Sequence, residues 1–281
     1  MIIDELSDII GFDSSYFIES FRARKRFFRI NTLKVDVDRF MKDKTFECKQ
    51  KQIPFICEYS NIKIGNTWEY ALGLIHPQSY SSAIIPLLLD VSKNDFILDL
   101  TAAPGSKTTE MSMLMENRGV VIANDKKERL PSIFHNIVRL SALNVGITSF
   151  DAKRLPDKFK GKFTRVLLDA PCSALGSHEY AWERTNWGIV NTLSRVQKKM
   201  ILSAFDALKV GGYLLYSTCT ITLEENESVI LHLLNSRNAE LVDIRLDLPH
   251  DKAIDLPGAI RIMPWHLNSE AFFAALIKKV D

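Results

Sequence analysis

The stretch from Asp95 to Glu110, DFILDLTAAPGSKTTE, constrains the fold of this chain more than any other. A short apolar run, Phe96-Ile97-Leu98, has the character of a parallel strand buried on both faces, and Asp99 stands where the run ends. The turn that follows, Ala102-Ala103-Pro104-Gly105-Ser106, is built of small residues, so a ligand can lie against backbone N–H groups at the start of the next helix. Thr108, Thr109 and Glu110 continue that helix. Strand, small-residue turn and helix make the nucleotide-binding corner of a doubly wound α/β sheet, where ligands sit beyond the carboxyl ends of the strands. The turn is not G-x-G-x-x-G. Of the phosphate-cradling G-x-x-x-x-G-K-[ST] it has only the tail, Gly105-Ser106-Lys107-Thr108.

Beyond this corner, strands and helices alternate regularly. Gly119 to Asp125, Val145 to Asp151 and Thr164 to Asp169 read as further strands, each ending in an acid, and Lys126 to Leu140 has the apolar spacing of a helix. A single aspartate at such a place serves as a helix cap. Four of them, Asp99, Asp125, Asp151 and Asp169, predict a polar rim for a ligand, with Asp125 where a ribose diol would be gripped. Asp169-Ala170-Pro171-Cys172 closes the fourth strand. An amphipathic helix with apolar Leu193, Val196, Met200, Ile201, Ala204 and Leu208 leads to a fifth, Tyr213 to Ser217, which runs into Thr218-Cys219. Neighbouring strands lie roughly 5 Å apart, so both thiols and the Asp169 carboxylate are expected in one pocket. Burial as an inert residue is the commoner fate of a cysteine, but two at the ligand edge of adjacent strands point to chemistry. Glu224, Glu225 and Glu227 read as the structural acids of a helix start.

Composition limits the partners. A chain of 281 residues, 46% of them hydrophobic, can bury one large domain and a smaller one. A net charge of +2 excludes a globally basic nucleic-acid coat, so any RNA contact must come from local patches. Cys48, Cys57, Cys172 and Cys219 show neither C-x-x-C pairing nor a nearby His at zinc spacing, so free thiols are expected, with no metal site. The N-terminus carries acids and lacks a basic leader, and no later apolar run is long enough for a bilayer, which suggests a cytoplasmic protein without a membrane partner. Residues 1–72 read as a small α+β unit and residues 73–281 as the larger domain, with Tyr70 to Ser82 as the junction. In the small unit, RARKRFFR gathers Arg22, Arg24, Lys25, Arg26 and Arg29 around Phe27 and Phe28. This pattern suits RNA phosphates and unstacked bases, or else a solvated basic edge over two core phenylalanines. At the junction His76 reads as a packing or hydrogen-bonding residue, and Ser81 or Ser82 as the cap of a helix from Ala83 to Leu89.

DLTAAPGSKTT, DAPCSALG and STCTITLEENE, in this order and at this separation, resemble the three diagnostic motifs of the Nop/Sun family of S-adenosylmethionine-dependent RNA cytosine-C5 methyltransferases. RFFRINTLK and HPQSYSS are similar to that family's N-terminal segment and the approach to its first strand, so the resemblance extends over most of the chain. Length and layout are most similar to the short archaeal-type tRNA enzymes. The resemblance implies a class I, Rossmann-like methyltransferase domain with a doubly wound sheet, preceded by a small α+β RNA-binding domain. It implies S-adenosyl-L-methionine as cofactor, RNA as partner (tRNA ahead of rRNA), and a monomer. It puts the cofactor's methionine end over Thr101, Ala102, Ala103, Pro104, Gly105, Ser106 and Lys107, its ribose on Asp125, its adenine beside Asp151, and Asp169 close to cofactor and base. Cys219 takes the position of the nucleophile and Cys172 that of the cysteine which helps release product. Thr101 stands where the family commonly has cysteine, Ser106 where it often has glycine, and Ala174 where glycine usually follows the Cys-Ser pair.

Cytosine C5 is a poor nucleophile toward a sulfonium methyl. A thiolate must therefore add at C6 and push electron density to C5 while a carboxyl group handles N3, the roles implied for Cys219 and Asp169 with Lys107 beside the base. Cys172 would assist the final elimination, as a base or by position alone. A DNA cytosine methyltransferase would use Cys172 as nucleophile and has no need of Cys219. A small-molecule methyltransferase needs neither thiol, and the intact pair Cys172 and Cys219 speaks against a non-catalytic RNA-binding or ribosome-assembly factor while leaving room for an added binding role.

Overall fold

The computed structural model describes residues 2–281. The chain opens with two amphipathic helices, α1 (Ile2–Ile10) and α2 (Ser14–Arg22), the second started by the Asp13 carboxylate accepting from Tyr16 N–H at 2.7 Å. β1 (Arg26–Ile30), α3 (Val37–Asp43), β2 (Cys48–Gln50), β3 (Ile56–Tyr59), α4 (Trp68–Ala71) and β4 (Ile75–Pro77) follow, and the strands form an antiparallel sheet in the order β2-β3-β1-β4. Phe28, Ile30, Phe40, Cys57, Ile64 and Ile75 fill its core. Two sequence expectations change here. β4 pairs with β1 although it lies past residue 72, and α1 and α2 leave the small sheet to pack Ile3, Leu6, Phe17 and Phe21 against Leu175, Trp182 and Ile221 of the larger unit. Phe27 and Phe28 are buried, so neither offers a face to an unstacked base.

The larger unit starts with α5 (Tyr80–Leu88), capped by Ser79, whose hydroxyl accepts from Ser82 N–H at 3.4 Å. Ser81 and Ser82, the expected caps, already lie inside the helix, and the Ser81 hydroxyl turns instead to Ser269 at 3.1 Å. Then come β5 (Phe96–Asp99), α6 (Ser106–Leu114), β6 (Val120–Asn124), α7 (Leu130–Leu140), β7 (Val145–Thr148), β8 (Phe163–Asp169), α8 (Tyr180–Arg184), α9 (Trp187–Ala207), β9 (Leu208–Thr218) and α10 (Glu227–Ser236). β10 (Ala239–Val242), β11 (Asp251–Ala253), β12 (Leu256–Ile262), α11 (Pro264–Leu267) and β13 (Phe272–Lys279) end the chain. The sheet order is β11-β12-β13-β9-β8-β5-β6-β7, with β10 added on β13. β5 to β9 run parallel and β13 antiparallel to β9.

The period of two along each strand explains why the apolar runs are continuous. Leu98, Val166, Leu168, Leu214 and Tyr216 pack toward α9 and α10, while Ile97, Leu167 and Leu215 pack toward α5 on the opposite face. Each fully buried Leu, Ile or Val contributes about 1.5–3 kcal/mol. β5 pairs with both β6 and β8, so the strand order reverses there and opens a crevice above their C-terminal ends.

Candidate active site

The turn after β5 is held open from below. Asp125, just past β6, accepts the Ala103 N–H at 2.8 Å on one carboxylate oxygen and the Lys126 N–H at 2.7 Å on the other. Gly105 adopts φ +102° at the N-cap of α6, in the left-handed region that favours glycine, and no side chain caps the helix start. The first N–H groups of α6 therefore remain available to a ligand. Asp99 does not join the rim. It is 1% exposed beneath the turn, where Thr108 Oγ1 donates to it at 2.6 Å and burial pushes its carboxyl up to about 7. Asp151 also departs from the expected pattern: β7 ends at Thr148 because Asn124 Oδ1 takes the Thr148 hydroxyl at 3.0 Å and the Phe150 N–H at 2.8 Å. Asp151 follows as an exposed residue that accepts from Lys153 N–H at 3.0 Å.

Asp169 ends β8 with both carboxylate oxygens engaged. Lys107 Nζ lies 2.7 Å from one and Ser217 Oγ donates to the other at 2.8 Å, while Thr101 Oγ1 donates to its carbonyl at 2.9 Å. Burial alone would weaken the charge on Lys107, but the adjacent Asp169 carboxylate overrides it and raises the ammonium's pKa. The register of β8 on β9 sets Asp169 opposite Ser217, so the loops that follow the two strands run together. Cys172 Sγ and Cys219 Sγ meet at 3.3 Å as free thiols. The two are not equivalent. The hydrogen bond from Cys172, then one from Ser177 Oγ at 3.3 Å, lower the Cys219 pKa against its burial, and the same Cys172–Cys219 contact together with burial holds Cys172 well above the ordinary thiol value.

The loop carrying Cys172 is tightly anchored. Glu225, fully buried, accepts from Ser173 N–H at 2.9 Å, Gln197 Nε2 at 3.0 Å and Thr222 Oγ1 at 3.0 Å, and its second oxygen also takes the Ser173 hydroxyl. Sequence reasoning treated this acid as a helix-start charge. Instead α10 begins only at Glu227, which forms a buried pair with Arg261 at 2.8 Å. Gly176 lies where a Cβ would meet Ala271 Cβ at 2.6 Å and the Cys219 carbonyl oxygen at 2.9 Å. Ala174 adopts φ +59°, a conformation glycine would reach at less cost, which gives the departure from the family pattern a physical meaning.

The basic segment divides in two. Arg29 is 1% exposed and points inward, donating to Thr109 Oγ1 at 3.0 Å. Burial lowers its pKa to about 10 and raises that of the facing Glu110 to about 7. It therefore belongs to the joint between the small sheet and α6, not to an RNA surface. His76 is part of the same joint. Arg139 can only donate, so His76 Nδ1 accepts from it at 2.7 Å and Nε2–H donates to Ser106 Oγ at 2.8 Å, on an imidazole that burial keeps neutral. Arg22, Arg24, Lys25 and Arg26 instead line an open groove of about 400 Å³ with Ser79, Glu179, Ser269 and Glu270. Arg24 stacks 3.5 Å over Phe21 and donates to the Ser177 carbonyl at 3.0 Å, so the groove borders the Cys172 loop.

Residues 86–278 match the family described as 16S rRNA methyltransferase RsmB/F. The chain is 39% identical over 272 residues to the tRNA (cytosine(49)-C(5))-methyltransferase of Pyrococcus abyssi, covering 89% of this chain and 87% of that one. It is 36% identical over 278 residues to ribosomal RNA small subunit methyltransferase F of Aeromonas salmonicida, covering 92% of this chain but 58% of the other, so it spans little more than half of that relative. The structure of NSun6 from Pyrococcus horikoshii with SFG has the same fold, with a TM-score of 0.92 at 22% identity over 99% of this chain and 97% of that one.

Proposed function

Because this chain belongs to the RsmB/F (Nop/Sun) family of methyltransferases, we propose that it transfers a methyl group from S-adenosyl-L-methionine to C5 of a cytosine in RNA, and that the RNA is a tRNA. The observation that carries the reading is the contact of Cys172 and Cys219 at 3.3 Å beside a carboxylate held by Lys107. The preference for tRNA is supported by the near-full-length match to the archaeal tRNA enzyme, against the half-length match to the rRNA enzyme.

The crevice fits the cofactor. Small Thr101, Ala102, Ala103, Pro104, Gly105 and Ser106 leave the uncapped start of α6 accessible, Asp125 keeps unused lone pairs for a ribose diol, and Asp151 takes the adenine edge. When bound, S-adenosylmethionine supplies an electrophilic methyl group. Cys219, biased toward thiolate, adds to C6 of the cytosine, and the electron pair moves toward C5. Asp169, fixed by Lys107 and Ser217, handles the N3 edge of the flipped base, while the Lys107 ammonium stabilises charge that develops on the ring. Once C5 carries the methyl group, its proton passes to water, the C5–H electron pair re-forms the C5–C6 double bond, and the C6–S bond breaks with its electrons on sulfur. Cys172, held as a neutral thiol against the departing sulfur, hydrogen-bonds to it as it leaves.

The Arg22 to Arg26 groove holds the RNA around the target. No helix among the described residues is long and apolar enough to cross a membrane; on the proposed reading the enzyme meets its RNA in the cytoplasm as a monomer, without a metal. Labelled S-adenosylmethionine incubated with tRNA, rRNA and duplex DNA should label tRNA. Label on DNA, or on no nucleic acid, would contradict the proposal.

A further inference from the structure

The loop after Cys172 brings to Cys219 two side chains that the reaction above leaves without a role. Ser177 Oγ lies 3.3 Å from Cys219 Sγ and 2.7 Å from His178 Nδ1, and 3.3 Å from the Ala174 carbonyl. Ser177 is buried at 6% exposure and fixed on every side. Its carbonyl accepts from Arg24, the Gly176 N–H donates to the Cys219 carbonyl at 3.0 Å, and Trp182 Nε1 donates to the Leu175 carbonyl at 2.8 Å. His178 is exposed, its ring 5.1 Å from that of Tyr180, so it exchanges protons with water. A buried hydroxyl bridging a thiol to a solvent-facing imidazole is a one-step proton path.

We propose that Ser177 and His178 form the relay that ionises Cys219, Ser177 acting on the sulfur directly as a catalytic residue and His178 acting through it as a positioning residue. The Cys219 thiol proton passes to Ser177 Oγ while the Ser177 hydroxyl proton passes to His178 Nδ1. One S–H and one O–H bond break and one O–H and one N–H bond form, leaving a thiolate, a neutral serine and an imidazolium that loses a proton to water. With the thiolate formed, the hydrogen bonds run the other way, from His178 Nδ1–H to Ser177 and from Ser177 to sulfur, alongside the Cys172 S–H. The lowered pKa of Cys219 agrees with donation to its sulfur by Cys172 and Ser177. The other charges facing the sulfur are Lys107, which favours the thiolate, and Asp169 and Glu270, which oppose it. Around His178 lie Tyr180 and the exposed Arg22–Glu179 pair.

The relay rests on the reading of Cys219 as nucleophile, but its test needs neither RNA nor cofactor, so a negative result leaves the methyltransferase reading standing. Alkylation by iodoacetamide is followed against pH and read at the Cys219 peptide by mass spectrometry, with thermal unfolding as the check on folding. Ser177→Ala should move the midpoint up by about one pH unit, with alkylation about tenfold slower at neutral pH. His178→Ala should produce the same shift, and Ser177→Thr, which keeps the hydroxyl, should restore the parental profile. An unchanged profile in Ser177→Ala, or a shift in Ser177→Ala with none in His178→Ala, would overturn the relay.

Discussion

Replacing Gly176 by alanine tests whether the loops that carry Cys172 and Cys219 are held together by backbone packing. The new Cβ would sit 2.6 Å from Ala271 Cβ and 2.9 Å from the Cys219 carbonyl oxygen. Carbon atoms rest at about 3.5–4.0 Å, so one chain must retreat by about 1 Å. Two hydrogen bonds cross this contact, Gly176 N–H to the Cys219 carbonyl at 3.0 Å and Ala271 N–H to the Gly176 carbonyl at 2.9 Å, and both lengthen with the retreat. Overpacking costs about 1–3 kcal/mol and each weakened bond about 0.5–1.5 kcal/mol, so a destabilisation of about 2–6 kcal/mol is expected. The same displacement separates Cys172 and Ser177 from Cys219, and a misplacement of about 1 Å costs on the order of a hundredfold in rate. Urea unfolding measures the first quantity. Single-turnover methyl transfer at 25 °C, with folding verified by circular dichroism, measures the second. Gly65→Ala, whose Cβ meets nothing within 4 Å, is the control and should change neither. A Gly176→Ala enzyme of parental stability and rate would refute the reasoning.

Two further perturbations address the acids around the turn after β5. Asp125→Ala removes the acceptor of the Ala103 and Lys126 N–H groups and, on the proposed reading, of the ribose diol, and should weaken S-adenosylmethionine binding by about 1–3 kcal/mol. Calorimetry showing unchanged affinity would remove Asp125 from the site. Asp99 titrates near about 7 when folded but near about 3.9 when unfolded, so folding favours its protonated form: that stabilisation is complete below the unfolded value and is lost as pH rises through the folded one. Asp99→Asn escapes the loss, and its stability relative to the parent should rise by roughly 2–3 kcal/mol between pH 5 and pH 8 in denaturant titrations. A fall over that range would contradict the burial argument.

The parallel half of the sheet was legible because strands buried on both faces write themselves as unbroken apolar runs, and Asp99, Asp125 and Asp169 stand at or beside their ends. Asp151 was not legible in this way. The end of β7 is decided by the Asn124 side chain on a neighbouring strand, and no local pattern reports that. β10 to β13 were missed entirely, and with them Arg261 and Ala271, whose contacts with Glu227 and Gly176 shape the catalytic loops. Amphipathic periodicity shows that α1 and α2 bury a face, but only three dimensions reveal that this face lies on Trp182 and Leu175 and not on the small sheet next in sequence. Arg29 reads as one more cation in a basic run, and its burial against Glu110 follows from the alternation of β1, where adjacent residues point to opposite faces. The two cysteines were visible. Their unequal environments, set by Ser177 and by each other, were not.

The division of labour between the two sulfurs is tested most directly by a denaturing gel of Cys219→Ala and Cys172→Ala incubated with substrate RNA, with and without S-adenosylmethionine. If Cys219 is the residue that adds to C6, Cys219→Ala should neither methylate nor form an adduct. Cys172→Ala, with its nucleophile intact and departure of the sulfur impaired, should accumulate a denaturation-resistant protein–RNA complex when the cofactor is supplied. An adduct from Cys219→Ala and none from Cys172→Ala would reverse the assignment of the two cysteines.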